Sequence, residues 1–394
     1  MRLRETGGRI LLRTCVVLAA AIVTNTAIIT SKNMASPTLG PLCLICKRAC
    51  DVMAPMVQSF YTAINSNTSK LKADASVFTI ADGIVQHVLV DHLFAGSKFK
   101  DVVGEEDGCK VNIHTRPFTV DNLSVPEEFN DVIEGVLSSI TDLAREISPE
   151  AYNDITVFID PIDGTREFST NLGEQCSVCI GFSCANGKPV AGIVYRPLTF
   201  PTTWAAGAHS EQFTASNLDL PANPNPKGFL TSNGGISPFI AKLIEEINFV
   251  RVPSGGVGNK MLMLLEGKGA AYIQDRGVSR WDTSGAQAVL EANGGVLCKL
   301  TSYIERKELE SYAYLKSDTN LDFESGVASL TPFNCAEKGS VKKDESRMAT
   351  DVKSVQAYSN LCGLFAVDSS VMPQLDSIHE AMNRIRLETP PSYN

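Results

Sequence analysis

Acidic residues stand where apolar segments of this chain end, and their spacing favours cation binding. The apolar run TVFI is followed at once by DPIDGT, which places Asp160 and Asp163 three positions apart. Glu105 and Glu106 stand at the end of a second, shorter apolar run. Hard divalent cations prefer carboxylate and carbonyl oxygens, so Ile162 could add its carbonyl at the same corner. The pattern predicts a metal site at the ends of two strands.

Two further aspartates stand at the predicted starts of helices, and each has a purely structural alternative. Thr79-x-x-Asp82 fits a capping box, in which Asp82 would only start its helix. Asp282 fits a simple helix N-cap, and Asp160-x-x-Asp163 taken alone fits a turn in which aspartate binds backbone. We favour metal binding because all these carboxylates occur, in order, at the ends of apolar elements.

Thr165 and a glycine cluster suggest where an anion would bind. Thr165 comes directly after Gly164 at a predicted helix N-terminus, where backbone N–H groups favour negative charge. The stretch Gly255–Gly258 precedes Lys260 at another predicted helix start, although glycine clusters are more often plain turns than phosphate loops. Metal-assisted hydrolysis of a phosphoester needs metal ions next to a site that binds the phosphate, and a helix N-terminus is such a site.

Composition and charge limit the partners. The chain has 394 residues, of which 44% are hydrophobic and 20% charged, as in ordinary soluble globular proteins. Its net charge of −9 argues against nucleic acid as the main partner, because phosphate contacts need clustered Lys and Arg. A small phosphorylated ligand stays possible, since a few local cations or metal ions could neutralise it.

The cysteines and histidines give no sign of a metal site in their spacing. The closest cysteine pairs are Cys43-x-x-Cys46 and Cys176-x-x-Cys179, and nothing requires the two pairs to converge on zinc. We expect the eleven cysteines to be reduced, mostly buried thiols. The five histidines are scattered along the chain without ligand spacing.

Hydrophobic periodicity predicts alternating helices and strands. A hairpin is predicted where CSVCIGFSC and PVAGIVYRP are joined by a turn containing Asn-Gly. We expect an N-terminal α+β half that binds metal over 34–220, and a C-terminal α/β half that completes the site over 221–390. Polar insertions are expected at 107–154 and 317–353. Helices are predicted at 41–64, 79–94, 129–147, 237–246, from 260, 282–292 and 371–386.

Residues 1–33 are expected to be a targeting or anchor segment outside the fold. Four arginines precede an uncharged run over 14–30, which fits a secretory signal, a short signal-anchor or an organelle transit peptide. Met34 could start a shorter form. Membrane contact is expected only if this segment is an uncleaved anchor, and the compartment, cytoplasmic or organellar, stays open.

The blocks Asp82, GEE, DPIDGT and WD together resemble the lithium-sensitive, Mg²⁺-dependent phosphomonoesterase family. That family comprises inositol monophosphatases, inositol polyphosphate 1-phosphatases and 3′(2′),5′-bisphosphate nucleotidases. The resemblance covers residues 38–300 and the closing strand and helix. It implies an α/β fold of the inositol monophosphatase type, layered αβαβα, with two or three Mg²⁺ ions. We expect a monomer rather than a dimer.

The resemblance also implies residue roles. Glu105, Asp160 and the Ile162 carbonyl match a first metal site, and Asp160, Asp163 and Asp282 match a second. Asp82 and Thr165 match the pair that activates the attacking water, while Glu106 would order water around a third ion. The positions implied to contact substrate are Gly164, Thr165, Gly256, Lys260 and Asp282.

The resemblance favours the nucleotidase branch for the substrate. The block GNK with LLEGK after it is closer to that branch, which predicts hydrolysis of the 3′-phosphate of adenosine 3′,5′-bisphosphate and of 3′-phosphoadenylyl sulfate. Two departures are LTSNGG at 230–235, which lacks a histidine, and Gly285 in place of alanine in the WDxxA pattern. The insertions favour the alternative, inositol 1,4-bisphosphate 1-phosphatase activity. A non-catalytic phosphate-binding scaffold is the alternative of another class.

Overall fold

The computed structural model describes residues 38–65, 67–72, 77–219, 225–275, 278–315, 358–360 and 362–391. The predicted segment 1–33, the boundary at 220 and 221 and the predicted insertion at 317–353 lie outside these ranges. The described residues from Leu39 onwards belong to one compact unit. Within the described part, no helix has the length and apolar character needed to span a membrane.

A six-stranded sheet carries most of the predicted acidic residues. It is antiparallel throughout except for the parallel pairing of its last two strands, in the order β11-β10-β9-β8-β7-β3. The predicted hairpin forms β8 and β9, so this prediction is confirmed. The strands are β3 (Asp101–Gly104), β7 (Thr156–Asp163), β8 (Ser177–Ser183), β9 (Pro189–Arg196), β10 (Thr203–Ala208) and β11 (Phe213–Ser216).

Helices cover the outer face of this sheet because alternate strand residues are apolar on both faces. Val178 and Ile180 of β8 point into one core, whereas Cys179 points into the other. The outer core is closed by α1 (Leu39–Thr62), by α2 (Ile80–His87), which continues as a π-helical turn over Val88–Leu93, and by α3 (Asn130–Ala144). These match the predicted helices to within a few residues, apart from the π turn.

A second sheet of five strands lies beyond a central helical layer. Its order is β13-β12-β14-β18-β16, formed by β12 (Gly228–Thr231), β13 (Val250–Pro253), β14 (Ala271–Gln274), β16 (Val296–Lys299) and β18 (Leu364–Val367). Helices α6 (Val257–Leu265) and α7 (Arg280–Ala292) share one core with both sheets. The far face is covered by α5 (Pro238–Glu246), α8 (Leu300–Arg306) and α9 (Leu375–Glu388). The α/β class and the layered αβαβα order are confirmed.

Shorter strands and the short helix α4 (Thr165–Ser169), which follows β7, complete the fold. The predicted insertion at 107–154 contains a small three-stranded sheet followed by α3. The short strands are β1 (Ser69–Leu71) with β2 (Val77–Thr79), β4 (Val111–Asn112) with β5 (Thr119–Val120) and β6 (Leu123–Ser124), and β15 (Val278–Ser279) with β17 (Ser359–Asn360).

The cysteines in the described ranges are free thiols, as expected. Both predicted pairs, Cys43 with Cys46 and Cys176 with Cys179, are buried. Burial raises the pKa of the Cys43 thiol to about 12, so that this cysteine is a neutral packing residue rather than a thiolate ligand.

Three glycines allow α7 to lie directly on the six-stranded sheet. A Cβ atom at Gly285 of α7 would lie 2.6 Å from the Ile180 carbonyl oxygen of β8. A Cβ at Gly192 of β9 would lie 2.6 Å from the Gly285 Cα, and one at Gly181 would collide with the Gly285 backbone. Gly285 is therefore required here, because backbone atoms on both sides leave no room for a methyl group.

Gly285→Ala should destabilise the protein by about 1 to 3 kcal/mol, because the added methyl group forces α7 away from β8. Chemical unfolding monitored by circular dichroism measures this loss. Gly135→Ala is the matched control, since a Cβ at this exposed position of α3 has no heavy atom within 4 Å. That control should stabilise α3 by about 0.5 to 1 kcal/mol. Equal stability of the two variants would contradict the tight contact.

Candidate active site

A bulge in β7 turns both aspartates of the DPID corner to one face of the sheet. Asp160 lies opposite Cys179 and Asp163 lies opposite Ser177, so three steps along β7 match two steps along β8. Residues three apart in a regular strand point to opposite faces, and the extra residue of the bulge removes this difference. The irregularity also accommodates Pro161, which cannot donate to the ladder.

Glu105, Asp160 and Asp282 bring one carboxylate oxygen each to within 4.8 Å of one another. The Glu105 amide nitrogen donates to the Ile159 carbonyl at 3.1 Å, which fixes Glu105 beside β7 where β3 ends. Asp282 is held in the first turn of α7, and its Oδ2 accepts from the Ser279 amide at 2.8 Å. These three residues, predicted from separate segments, meet at one point.

The electrostatics of this cluster fit a divalent cation. Asp160 and Asp282 are buried, with relative exposures of 2% and 7%. Burial, and then the charges of Glu105 and Asp282, raise the pKa of Asp160 well above its usual range. Carboxylates that repel one another in a buried pocket are stabilised by a hard cation with oxygen ligands, and Mg²⁺ is such a cation.

Lys72 contributes a positive charge that sequence reasoning missed. Its ammonium group lies 3.0 Å from Glu105 Oε1 and also donates to Glu106 Oε1. Burial alone would lower the pKa of Lys72. The negative charges of Glu105 and Glu106 together have the larger effect, so this pKa lies above its ordinary value. Glu106 therefore sits at the rim of the acidic cluster in an ion pair with Lys72.

Thr165 connects the DPID corner to Asp82. Its hydroxyl oxygen lies 3.1 Å from Asp82 Oδ1 and 3.0 Å from the Ile162 carbonyl oxygen, so its proton can be donated to either acceptor. The other Asp82 oxygen accepts from the Thr79 amide at 2.8 Å and from the Thr79 hydroxyl at 2.5 Å. Asp82 thus forms the capping box, and its other oxygen faces Thr165.

Burial raises the pKa of Asp82 to about 6, although the hydrogen bonds from Thr79 and the charge of Lys72 oppose this rise. A carboxylate with this pKa is mostly ionised at neutral pH and can still accept a proton within its range. Asp82 could therefore accept a proton from the Thr165 hydroxyl.

Asp163 occupies a different position from the other acidic residues. Its Oδ1 accepts from the Val257 amide at 2.9 Å, and its Oδ2 accepts from the Gly258 amide at 2.7 Å and from the Ser177 hydroxyl at 2.9 Å. Asp163 therefore caps the N-terminus of α6 and is not one of the three carboxylates that meet within 4.8 Å. The Cys179 thiol also donates to Oδ2 at 4.0 Å, so the acceptor site that stays open on Asp163 is the second one of Oδ1.

The glycine loop before α6 is held by side chains of this chain. The Gly255 amide donates to Gln175 Oε1 at 2.6 Å, while the amides of Val257 and Gly258 bind Asp163. Gly256 has a φ of +60°, and a Cβ there would lie 2.6 Å from the Gln175 carbonyl oxygen. Three backbone N–H groups of this loop are therefore already hydrogen-bonded to side chains of the protein, whereas in a phosphate loop they would bind the phosphate.

Lys260 lies beneath this loop. It is 3% exposed, its Nζ donates to the Ser254 carbonyl at 3.2 Å, and it lies 5.2 Å from the centre of the Tyr272 ring. Burial lowers the pKa of Lys260 to about 8, while the charges of Asp163 and Glu167 act in the opposite direction. Its position supports the loop from below.

A buried ion pair, which the sequence did not predict, fixes α6 on the first sheet. Arg196 of β9 lies 2.9 Å from Glu266 Oε1 and donates to Asn259 Oδ1 at 2.8 Å. Asn259 in turn donates to the Gly255 carbonyl at 2.9 Å. Asn259 and Glu266 belong to the GNK and LLEGK blocks, so the sequence pointed to one side of this contact. It gave no link to the other side, Arg196, which lies 63 residues before Asn259 in the chain.

Known proteins with similar sequences carry phosphatase names. The chain is 29% identical over 240 residues to 3′(2′),5′-bisphosphate nucleotidase 1 of Rattus norvegicus, a match that covers 56% of this chain and 70% of that protein. It is 28% identical over 195 residues to inositol monophosphatase 3 of Xenopus laevis, covering 46% of this chain and 51% of that protein. The chain thus spans about half the length of the inositol monophosphatase 3 relatives it matches.

Among solved structures, staphylococcal inositol monophosphatase I in complex with products has a TM-score of 0.50 and 11% identity to this chain. The match covers 90% of this chain and 98% of that protein, and it concerns the fold alone. The model of the inositol monophosphatase family matches residues 43–323, well over half of the chain. Use of Mg²⁺ and sensitivity to lithium are properties of that family. The chain therefore belongs to the inositol monophosphatase family, a family of phosphoric monoester hydrolases.

Proposed function

We propose that this chain is a Mg²⁺-dependent phosphomonoesterase that removes the 3′-phosphate of adenosine 3′,5′-bisphosphate and of 3′-phosphoadenylyl sulfate. The observation that carries the proposal is the meeting of two buried carboxylates and the half-buried Glu105 next to the hydrogen-bonded pair of Thr165 and Asp82. A scaffold that only binds phosphate would need neither the repelling carboxylates nor a hydroxyl aimed at a buried aspartate.

The proposed metal ligands are those of the predicted sets. Glu105, Asp160 and the Ile162 carbonyl would hold a first Mg²⁺, and Asp160, Asp163 and Asp282 a second. Glu106 would order water around a third ion. Bound Mg²⁺ would supply Lewis acidity and charge neutralisation for the phosphate and the departing alkoxide.

The residues of this chain would handle the proton of the attacking water. The Thr165 hydroxyl can donate to Asp82 Oδ1, which leaves its own lone pair to accept from a water on the other side. As that water attacks phosphorus in line, its proton would pass to Thr165 and the Thr165 proton to Asp82. The Thr79 bonds hold Asp82 Oδ2, so that Oδ1 is the oxygen presented to Thr165.

The nucleotide side of the substrate would lie against Gly256, below which the buried Lys260 adds positive charge, with Gly164, Thr165 and Asp282 on the phosphate side. The relative from rat supports this choice because its name gives a 3′(2′),5′-bisphosphate nucleotide as substrate. Gly164, with a φ of +91°, lets the chain turn directly from Asp163 to Thr165.

Inositol 1,4-bisphosphate 1-phosphatase activity is the second candidate. The observation that favours it is the folded insertion between β3 and β7, the strands that end at Glu105 and at Asp160 with Asp163. An insertion at this place can narrow or extend the substrate pocket. The loop at 230–235 offers no histidine, and Arg251 holds it through the Gly234 carbonyl at 2.6 Å.

Asp160→Asn should raise the stability of the metal-free protein at neutral pH, because it removes a buried charge that Glu105 and Asp282 repel. This gain in stability should shrink as the pH falls. Once Asp160 of the wild type binds a proton, the charge repulsion that destabilises the wild type is lost. Excess Mg²⁺ at about 100 times its Kd should stabilise the wild type by about 2.7 kcal/mol and leave Asp160→Asn unchanged.

Thermal melting with and without Mg²⁺ measures both effects. Asp154→Asn, at an exposed position six residues earlier, is the matched control and should behave as the wild type. If Asp160→Asn destabilises the metal-free protein, or is stabilised by Mg²⁺ as strongly as the wild type, the proposed metal site is wrong.

Thr165→Ala should lower kcat about 10²- to 10⁴-fold, the range of a lost acid–base contribution. Thr165→Ser should recover most of the rate, because it restores the hydroxyl. Steady-state phosphate release measures both variants. Thr141→Ala is the control, since this exposed threonine on α3 donates only to its own helix at Leu137. An alanine variant with the wild-type kcat would exclude Thr165 from the proton path.

The substrate preference is tested on the purified full chain with Mg²⁺. Phosphate release from adenosine 3′,5′-bisphosphate should exceed release from inositol 1,4-bisphosphate by at least about 10-fold in kcat/KM, a difference of about 1.4 kcal/mol. Adenosine 5′-monophosphate, which lacks the 3′-phosphate, is the control and should release none. The reverse preference contradicts the nucleotide proposal, and no Mg²⁺-dependent release from either substrate contradicts the phosphatase proposal.

A further inference from the structure

Three of the five histidines come together at the C-terminal end of α2, away from the acidic cluster. His87 and His92 lie with their Nε2 atoms 3.3 Å apart and their ring centres 5.1 Å apart. His114, in the turn after β4, has its ring centre 6.4 Å from that of His87. Asp82 is in the first turn of the same helix, so this cluster and the acidic site lie at opposite ends of α2.

The π-helical turn creates this pairing. Residues five apart in a regular α-helix point about 140° away from each other, at about 100° per residue. The Phe94 amide instead donates to the Leu89 carbonyl at 3.0 Å, an i to i+5 hydrogen bond. The wider turn brings His92 back over His87, and turns of this kind are frequent at functional sites.

Asp91 orients the His87 ring. Its Oδ2 lies 2.6 Å from His87 Nδ1, so the proton of a neutral His87 is held on Nδ1 and the Nε2 lone pair faces His92. A carboxylate that binds the second ring nitrogen is the usual outer partner of a histidine that ligates a metal. Two imidazole nitrogens bound to one tetrahedral Zn²⁺ lie about 3.3 Å apart, from a Zn–N distance of about 2.0 to 2.1 Å.

We propose that His87 and His92, with His114 as the third ligand, form a site for a transition-metal ion of the Zn²⁺ type. His87 is oriented by Asp91, and His114 is exposed, so its side chain is free to turn towards the other two. Bound Zn²⁺ would tie the turn after β4 to the end of α2. The imidazole ligands distinguish this site from the all-oxygen acidic cluster, which suits Mg²⁺. The proposal does not depend on the reaction proposed above.

The test is a Zn²⁺ titration of the full chain, first stripped of metal, against a chelating dye. Excess Mg²⁺ is present throughout to occupy the acidic cluster. The wild type should bind one Zn²⁺ per chain under these conditions. His92→Gln should lose this binding, and Asp91→Asn should weaken it about 10- to 100-fold. His209→Gln, at an exposed histidine outside the cluster, is the matched control and should bind as the wild type.

Circular dichroism without zinc checks that each variant is folded. If His92→Gln does not fold, His114→Gln replaces it, because an exposed position tolerates the change, and weaker Zn²⁺ binding is expected there too. Absence of Zn²⁺ binding by the wild type overturns the proposal. So does equal binding by the wild type and the folded histidine variants, which would mean that His87 and His92 only share a hydrogen bond.

Discussion

Repulsion among buried carboxylates is the interaction on which the rest of this structure depends. Glu105, Asp160 and Asp282 are held within 4.8 Å of one another, and burial with this crowding raises the pKa of Asp160 well above its usual range. Such an arrangement costs stability, which a bound cation would relieve and favourable contacts elsewhere in the fold must otherwise offset. In the described residues, Lys72 gives the cluster one positive charge through Glu105 and Glu106.

The fold holds the carboxylates in place by means that serve packing as well. The bulge in β7 turns Asp160 and Asp163 to one face, where Asp163 accepts two backbone N–H groups at the start of α6. The contact of Gly285 with β8 and β9 lets α7 lie close enough to the sheet for Asp282 to reach Asp160. The acidic cluster therefore lies at a junction of the first sheet with both central helices.

Local patterns predicted the helices, the β8–β9 hairpin and the acidic ends of the elements, because periodicity and turn residues are read within a few positions. The resemblance to the phosphomonoesterase family predicted the layered αβαβα order of the fold and the roles proposed for the site residues. The features that could not be predicted depend on contacts between distant residues. Asp163 caps a helix 94 residues later, Lys72 reaches Glu105 across 33 residues, and Arg196 binds Glu266 across 70. His87 and His92 escaped detection because a π turn, which the spacing does not reveal, brings them together.

A crystal structure of the full chain grown with Mn²⁺, which replaces Mg²⁺ among oxygen ligands and scatters anomalously, would test the metal corner itself. We expect an anomalous peak bounded by carboxylate oxygens of Glu105, Asp160 and Asp282, with the Ile162 carbonyl beside it. An acidic cluster without a peak, in crystals that bind Mn²⁺ elsewhere and retain the contact of Lys72 with Glu105, would contradict a cation site at this corner.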